Sequence, residues 1–539
     1  MQRVFISDSL AQEGIDILKS TGKIEIDNRS GLSGDELRNA IAQADGMIIR
    51  SGTRLTADLL EGQKRLKLIV RAGVGVDNID VPAATRNGII VMNTPGGNTL
   101  STAEQTIALM LAVCRHVPAA DKTLRGGKWD RKSFTGTQVA GKTLGVIGLG
   151  RVGLAVAKRA LGLEMKVLGY DPFMSAERAA ALGIEFVPNV ADILPRVDLV
   201  TVHVPMTDDT KGLIGAKQIA TMKKGSYVIN CARGGIVDEA ALYEGLKSKH
   251  LAGAALDVFE TEPCTDSPLF ELPNVVISPH LGAATNEAQF NVAVEAAELM
   301  ADFFNTGNIR FAVNMPSIDP KELADVSRHV DIAWRLGILQ AQLAKGSIRK
   351  ATISLHGEAT KKNTRLIRAG FAVGLLSGAL EQQVNLVNAE YLATERGIEF
   401  VETTSSQVTD FHTLIRTDVE TENGTTTASG TVRGLQYCRL VRLGPYRLDS
   451  FLDGILMLYH HQDKPGLIGT VGTICGQYGV NIAQMNVGRR EPGGDALGVL
   501  ALDNDPSAEA VDAVRRDPRI SSVDVVKLPP FGAMPAGLP

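Results

Sequence analysis

Three segments of the chain end apolar, strand-like runs with residues of the kinds that hydride transfer needs: Arg233 in "NCARGGIVDE", Glu262 after "LDVFETEP" and His280 in "SPHLGAAT". Oxidising a secondary alcohol requires a base for the hydroxyl proton while a hydride leaves the carbon, and histidine is best matched to that task near neutral pH. His280 is the candidate base. A carboxylate beside an imidazole orients it and favours its charged form, which suits Glu262. An arginine can hold a substrate carboxylate bidentately and polarise the developing carbonyl, which suits Arg233. The set has the logic of a 2-hydroxy acid dehydrogenase.

A hydride acceptor is provided for upstream. The stretch "GKTLGVIGLGRVGLAVAKRALGL" reads as a strand, a glycine turn and a helix, with Gly148, Gly150 and Gly153 spaced G-x-G-x-x-G. The first two glycines allow a tight turn and close approach to a pyrophosphate, and the third lets the helix pack on the sheet with its N-terminus toward the phosphates. About 20 residues on, the next strand ends in Asp171, whose carboxylate suits the ribose 2′-hydroxyl and repels a 2′-phosphate. The following "PFMS" has no arginine to receive one, so NAD is expected rather than NADP.

These residues need a scaffold. From Met1 to about Gly97, short apolar runs ("RVFISD", "GMIIRS", "LKLIVRAG", "IIVMNT") alternate with amphipathic stretches, predicting a parallel sheet with helices on both faces. A helix follows at "STAEQTIALMLAVCRHV", with Ser101 and Glu104 at capping-box spacing. The glycine turn then opens a second parallel sheet. It comes late because a complete α/β domain precedes it. The long helix "ATNEAQFNVAVEAAELMADFF" is expected to return the chain to that first domain, before a linker at "NMPSIDP". Residues 321–450 mix helix and strand without a motif, and from Asp453 the order is βαββαβ, a ferredoxin-like unit. The expected fold class is α/β, with a flavodoxin-like substrate domain (1–97 and 282–314), a Rossmann cofactor domain (98–281), an α+β intervening domain (321–450), a ferredoxin-like domain (453–529) and a disordered tail (530–539).

The totals agree with small-molecule chemistry. At roughly 150 residues per domain, 539 residues suggest three or four domains. With 44% apolar and 22% charged residues and a net charge of −4, nothing pulls the chain toward nucleic acid or anionic membrane. No apolar run approaches the ~20 residues of a transmembrane helix, and no signal peptide opens the chain, so a cytoplasmic location is expected. Five scattered cysteines, without C-x-x-C or a nearby histidine at ligand spacing, argue against disulfides and a metal site.

The substrate is indicated by arginines. Arg50 ends one first-domain strand ("MIIRSGT") and Arg71 the next ("LIVRAGVGVDNID"), placing two guanidinium groups on one rim as a clamp for an anion larger than one carboxylate. Arg131 in "GKWDRKSFTG" is a third candidate, its alternative being a solvated basic turn.

"GLGRVG", "ARGGIVDEAAL", "ALDVFETEP" and "SPHLGAAT" resemble the signature segments of the D-isomer-specific 2-hydroxy acid dehydrogenases, over about Met1 to Asn314. The resemblance implies that Arg233, Glu262 and His280 are the catalytic trio. It also implies cofactor contacts at Arg151, Val152, Asp171, Pro205, Thr210, Cys231, Ala232, Asp257 and Gly282, beside the three glycines. "RSGT", "RAGVGVDNID", "NTPGGN" and "GKWDRKSFTG" are similar to the branch that oxidises D-3-phosphoglycerate, the first step of phosphorylated L-serine synthesis. That implies substrate contacts at Arg50, Arg71, Gly73, Asn98 and Arg131, the last from a neighbouring subunit of a homotetramer. Val74 departs from the pattern, standing where the family often has threonine. "DKPGLIG" and "VNIAQMNVGRR" resemble an ACT domain, implying feedback by L-serine through Asp463, Asn481 and Ile482, with Tyr459 a weaker candidate. A glyoxylate or hydroxypyruvate reductase with the same trio, and a non-catalytic NAD-sensing corepressor on the same two domains, stay open as alternatives.

Overall fold

The computed structural model describes residues 1–318, 320–378, 380, 383–405, 410–433 and 437–535. Its first sheet holds β1 (Gln2–Ile6), β2 (Ile24–Asn28), β3 (Gly46–Ile49), β4 (Leu68–Arg71) and β5 (Ile90–Asn93), all parallel, in the order β2-β1-β3-β4-β5 of flavodoxin-like folds. Helices cover both faces, so the strands are unbroken apolar runs rather than alternating ones; Met47, Ile48 and Ile49 are all buried. The helix Asn286–Thr306 returns to this sheet and packs its alanine-rich face on the helix Gln12–Ser20. Contact is close enough that a Cβ on Gly14 would lie 2.7 Å from the Ala293 carbonyl oxygen.

The second sheet has β6 (Thr143–Ile147), β7 (Lys166–Tyr170), β8 (Glu185–Phe186), β9 (Leu199–Val202), β10 (Ser226–Asn230), β11 (Leu251–Leu256) and β12 (Val275–Ile277), again parallel, in the order β12-β11-β10-β9-β6-β7-β8. Strand order reverses between β6 and β9, and in such sheets ligands bind beyond the carboxyl ends of the strands at that switch point. The helix Thr99–Cys114 enters this domain. It starts before the expected capping box, with Asn98 at the cap position, because Ser101 is drawn elsewhere: its Oγ donates to the Gly282 carbonyl at 2.7 Å, and Glu104 pairs with Arg159.

Next comes a six-stranded sheet, β14-β13-β15-β16-β17-β18, comprising β13 (Ile348–Gly357), β14 (Glu399–Ser405), β15 (Thr413–Thr421), β16 (Gly424–Arg433), β17 (Tyr437–Leu443) and β18 (Tyr446–Phe451). Helices Pro320–Leu343 and Thr364–Leu376 cross at Gly337 and Gly374, where any Cβ would collide with the facing backbone. The expected linker is fastened rather than loose: Ile309 and Ile318 exchange backbone hydrogen bonds of 2.8 and 2.7 Å.

The last sheet is antiparallel, β20-β21-β19-β22, from β19 (Ile455–Gln462), β20 (Ile482–Arg489), β21 (Asp495–Leu502) and β22 (Ile520–Lys527), a ferredoxin-like unit. The tail departs from the expected disorder over its first residues. Carbonyls of Pro529, Pro530 and Ala533 accept from the buried Arg335, which would otherwise hold unpaired donors. Residues 536–539 lie outside the described residues. Among the described residues no helix is long and apolar enough to cross a membrane, and no cluster of His, Cys, Asp or Glu could hold a metal.

Candidate active site

The glycine turn is shaped by contacts that exclude side chains. Gly148 has φ +93°, and a Cβ there would collide with the His203 carbonyl; one on Gly153 would collide with the Gly148 carbonyl. Gly150, by contrast, faces open space at the N-terminus of the helix Arg151–Gly162, where unpaired N–H groups favour an anion. Asp171 follows β7 and fixes the turn: its Oδ2 accepts from Leu149 N at 2.9 Å and its Oδ1 from Phe173 N at 2.8 Å. Each oxygen keeps a lone pair for a ribose hydroxyl. A phosphate cradle that no Cβ could enter, followed by a carboxylate at the next strand end, fits NAD. Arg151 opens the helix with its guanidinium over the Phe311 ring, and Val152 follows it, half-buried.

Past β9, Thr210 donates to the Pro205 carbonyl at 2.6 Å and closes the loop on this side. Past β10, the buried Asn230 shapes the next turn, accepting from Ala232 N at 3.0 Å and donating to the Arg233 carbonyl at 2.8 Å. Cys231 is buried and its thiol is pushed up to about 12 by that burial, so it offers a backbone contact rather than a nucleophile.

Asp257, wholly buried after β11, organises the loop that carries His280. It accepts from Ser278 Oγ (2.5 Å), Leu281 N (2.8 Å) and Gly282 N (2.8 Å), while its own carbonyl receives His280 N (2.8 Å). His280 sits at φ +55°, a left-handed conformation unusual for a side-chain-bearing residue and held here by those bonds. Its Nδ1 meets Glu262 Oε2 at 2.7 Å, and Glu262 Oε1 accepts from Phe259 N at 3.1 Å. Glu262 thereby fixes the ring and leaves Nε2 as the nitrogen available to a substrate.

Across the cleft, Ile49 and Arg71 are register partners on β3 and β4, so Arg50 and Arg71 leave adjacent strand ends. Arg50 is held at its backbone by Asp8 Oδ2 (2.6 Å) and at Nη1 by the Ser9 carbonyl (3.1 Å). Arg71 folds back over Gly73, where a Cβ would collide with its Nη1. Burial and the neighbouring guanidiniums of Arg233 and Arg50 pull its charge equilibrium down to about 10, against the opposing carboxylates of Asp77 and Asp8. Arg71 Nε, Thr94 Oγ1 and Asn98 Oδ1 are buried without a hydrogen-bond partner among the described residues. Such groups are costly unless something completes them, and three clustered cations call for an anion.

Arg131 stands apart, exposed on the segment after the helix Val117–Arg125, with no hydrogen bond or ion pair among the described residues. In the last domain Asp463 Oδ2 accepts from Gly493 N (3.1 Å) and Arg489 Nη1 (2.8 Å), contacts that hold its carboxyl below the usual range. Asn481 donates to Asp503, and Ile482 opens β20 half-buried. Tyr459 is fully buried with Met457 on the helix-covered face of the sheet, opposite Leu456 and Leu458, because successive side chains along β19 alternate faces.

Sequence reasoning passed over Asp77, Asn230, Ser278 and His203. Asn230 and Ser278 act through neighbours whose positions only folding sets. Asp77 could have been read from "GVGVDNID", and His203 from a strand end at the switch point; His203 Nε2 lies 3.0 Å from Thr201 Oγ1, and burial pushes its imidazole down to about 4.

The chain matches three family models: D-isomer specific 2-hydroxyacid dehydrogenase, NAD binding domain, over residues 107–282; D-3-phosphoglycerate dehydrogenase intervening domain, over 325–444; and ACT domain, over 455–519. It is 42% identical to a D-3-phosphoglycerate dehydrogenase of Archaeoglobus fulgidus, with 98% of this chain and 100% of the relative covered. Identity to that of Methanocaldococcus jannaschii is 41%, with the same coverage, and to that of Bacillus subtilis 39%. Among solved structures, a Thermus thermophilus protein matches at TM-score 0.52 and 36% identity over 56% of this chain and 97% of that one. A glyoxylate reductase from Paecilomyes thermophila matches at 0.53 and 27%, over 58% and 98%.

Proposed function

The chain belongs to the D-3-phosphoglycerate dehydrogenase family of the D-isomer-specific 2-hydroxyacid dehydrogenases, and from that premise we propose that it oxidises D-3-phosphoglycerate to 3-phosphohydroxypyruvate with NAD, opening L-serine synthesis, with L-serine as feedback effector. The observation that carries the substrate is the anion-seeking cluster of Arg50, Arg71 and Arg233, with Arg71 Nε buried and unpaired.

In this mechanism Arg50 and Arg71 take the phosphate and Arg233 the carboxylate, which fixes C2 between the two domains. His280 Nε2 removes the hydroxyl proton as the C2–H bond breaks; bound NAD supplies the hydride acceptor. Glu262 stabilises the resulting imidazolium through Nδ1. The proton then leaves His280 to solvent, to which its ring is half exposed. Gly148, Gly150, Gly153, Arg151 and Val152 hold the pyrophosphate side of NAD and Asp171 the ribose. Pro205, Thr210, Cys231, Ala232, Asp257 and Gly282 line the nicotinamide side, and Gly73 and Asn98 complete the substrate pocket.

Arg131 reaches the phosphate from a second copy of the chain, an assembly supported by the exposed apolar residues Leu100, Val117, Leu124 and Trp129. Asp463, Asn481 and Ile482 receive L-serine at the surface of the last domain. Five cysteines without a disulfide fit the reducing cytoplasm.

The test is NADH formation from D-3-phosphoglycerate beside D-glycerate, each with and without millimolar L-serine. Turnover selective for the phosphorylated acid and suppressed by serine is expected. Preference for D-glycerate would transfer the chain to the reductases, and turnover indifferent to serine would remove the effector.

A further inference from the structure

We propose that Asp77 is a positioning residue for the catalytic arginine, holding Arg233 across the cleft so that one edge of its guanidinium stays open to the substrate carboxylate. This deepens the function proposed above and rests on it. Arg233 comes from the cofactor domain and Asp77 from the substrate domain, 156 residues apart, yet Arg233 Nε donates to Asp77 Oδ2 at 3.0 Å. The other end of the fork is also committed, Nη1 donating to the Ala232 carbonyl at 2.6 Å. Nη2 is left without a partner among the described residues. It passes directly over Gly75, where a Cβ would collide with it and stand 2.6 Å from Asp77 Oδ2.

Two bonds and a missing side chain thus define the orientation of a long, flexible residue. Asp77 is 68% exposed, and an ion pair so open to water contributes little to folding. What it does determine is direction. A guanidinium free to rotate among Arg50, Arg71 and solvent would lose the alignment on which hydride transfer depends, and a misplacement of about 1 Å can cost on the order of 10²-fold. Because donor and acceptor sit on different domains, the pair also makes that alignment conditional on how the two domains meet.

Asp77→Ala should lower kcat/KM for D-3-phosphoglycerate at least about tenfold, most of it in kcat, while NADH affinity and the thermal midpoint stay at wild-type values. Asp77→Asn keeps an acceptor for Nε and should recover activity to within about threefold of wild type. In an Arg233→Lys background, which has no fork to orient, Asp77→Ala should cost nothing further. Wild-type kinetics in Asp77→Ala would overturn the proposal. So would a lowered KM at unchanged kcat, which would make Asp77 a competitor of the substrate, or additive losses in the double variant. A wild-type enzyme inert toward D-3-phosphoglycerate would instead overturn the function.

Discussion

Two arginines, the half-buried Arg71 in the interdomain cleft and the buried Arg335 at the joint between the intervening and ACT domains, solve opposite problems. Arg335 is 1% exposed and every donor is used: Nε on Asp331 at 2.6 Å, and Nη1 and Nη2 on the carbonyls of Leu452, Pro529, Pro530 and Ala533. Arg71 has a buried Nε with no partner and cations for neighbours. A satisfied buried charge rigidifies what surrounds it, whereas an unsatisfied one is an unfilled site. The contrast separates a cleft built to receive an anion from a joint built to stay closed, so substitutions in the first should cost chemistry and in the second stability.

The largest effect is expected at His280. His280→Ala should lower kcat by up to about 10⁴-fold, with NADH binding and the unfolding midpoint unchanged. Near-normal turnover would remove His280 as base. Arg335→Ala should come next, at about 3–5 kcal/mol of unfolding free energy in denaturant titrations, because it removes the buried partner of the half-buried Asp331 carboxylate and frees the tail. Equal stability would collapse the distinction between joint and cleft.

Arg71→Ala should leave stability within about 1 kcal/mol, since the residue is unpaired, yet cost about 1.5–3 kcal/mol in kcat/KM for D-3-phosphoglycerate. D-glycerate should lose much less, and parallel losses for the two acids would contradict the phosphate assignment. The smallest effect concerns pH. His203, pushed down to about 4, remains neutral in the folded protein while its unfolded counterpart protonates near 6.5. Its stabilising contribution is full above about 6.5 and is lost as pH falls from there to about 4. His203→Gln should flatten that part of the stability curve, and an unchanged slope would assign the loss to other groups.

Much of the catalytic half was legible because its chemistry is tied to local patterns. A glycine turn between strand and helix and polar residues at strand ends are written in consecutive residues, and parallel topology aligns those ends. Asp77 escaped notice for a different reason: it works by a contact to Arg233 made only after segments 156 residues apart meet. In the tail, the βαββαβ order was readable from periodicity. The inward turn of Tyr459 and the fastening of residues 530–533 were not, since the first depends on which face of β19 meets the helices and the second on Arg335, nearly 200 residues away in sequence.

By itself, then, the sequence determined the fold class, the preference for NAD and the candidate base, carboxylate and arginines, because hydrophobic period and turn chemistry act over a few residues. Only the tertiary structure decided that Arg233 is held from the opposite domain, that among the described residues Arg71 lacks a partner for Nε while Arg335 lacks none, and that Arg131 is exposed. Satisfaction of a buried polar group is a property of the surrounding space, and packing alone creates that space.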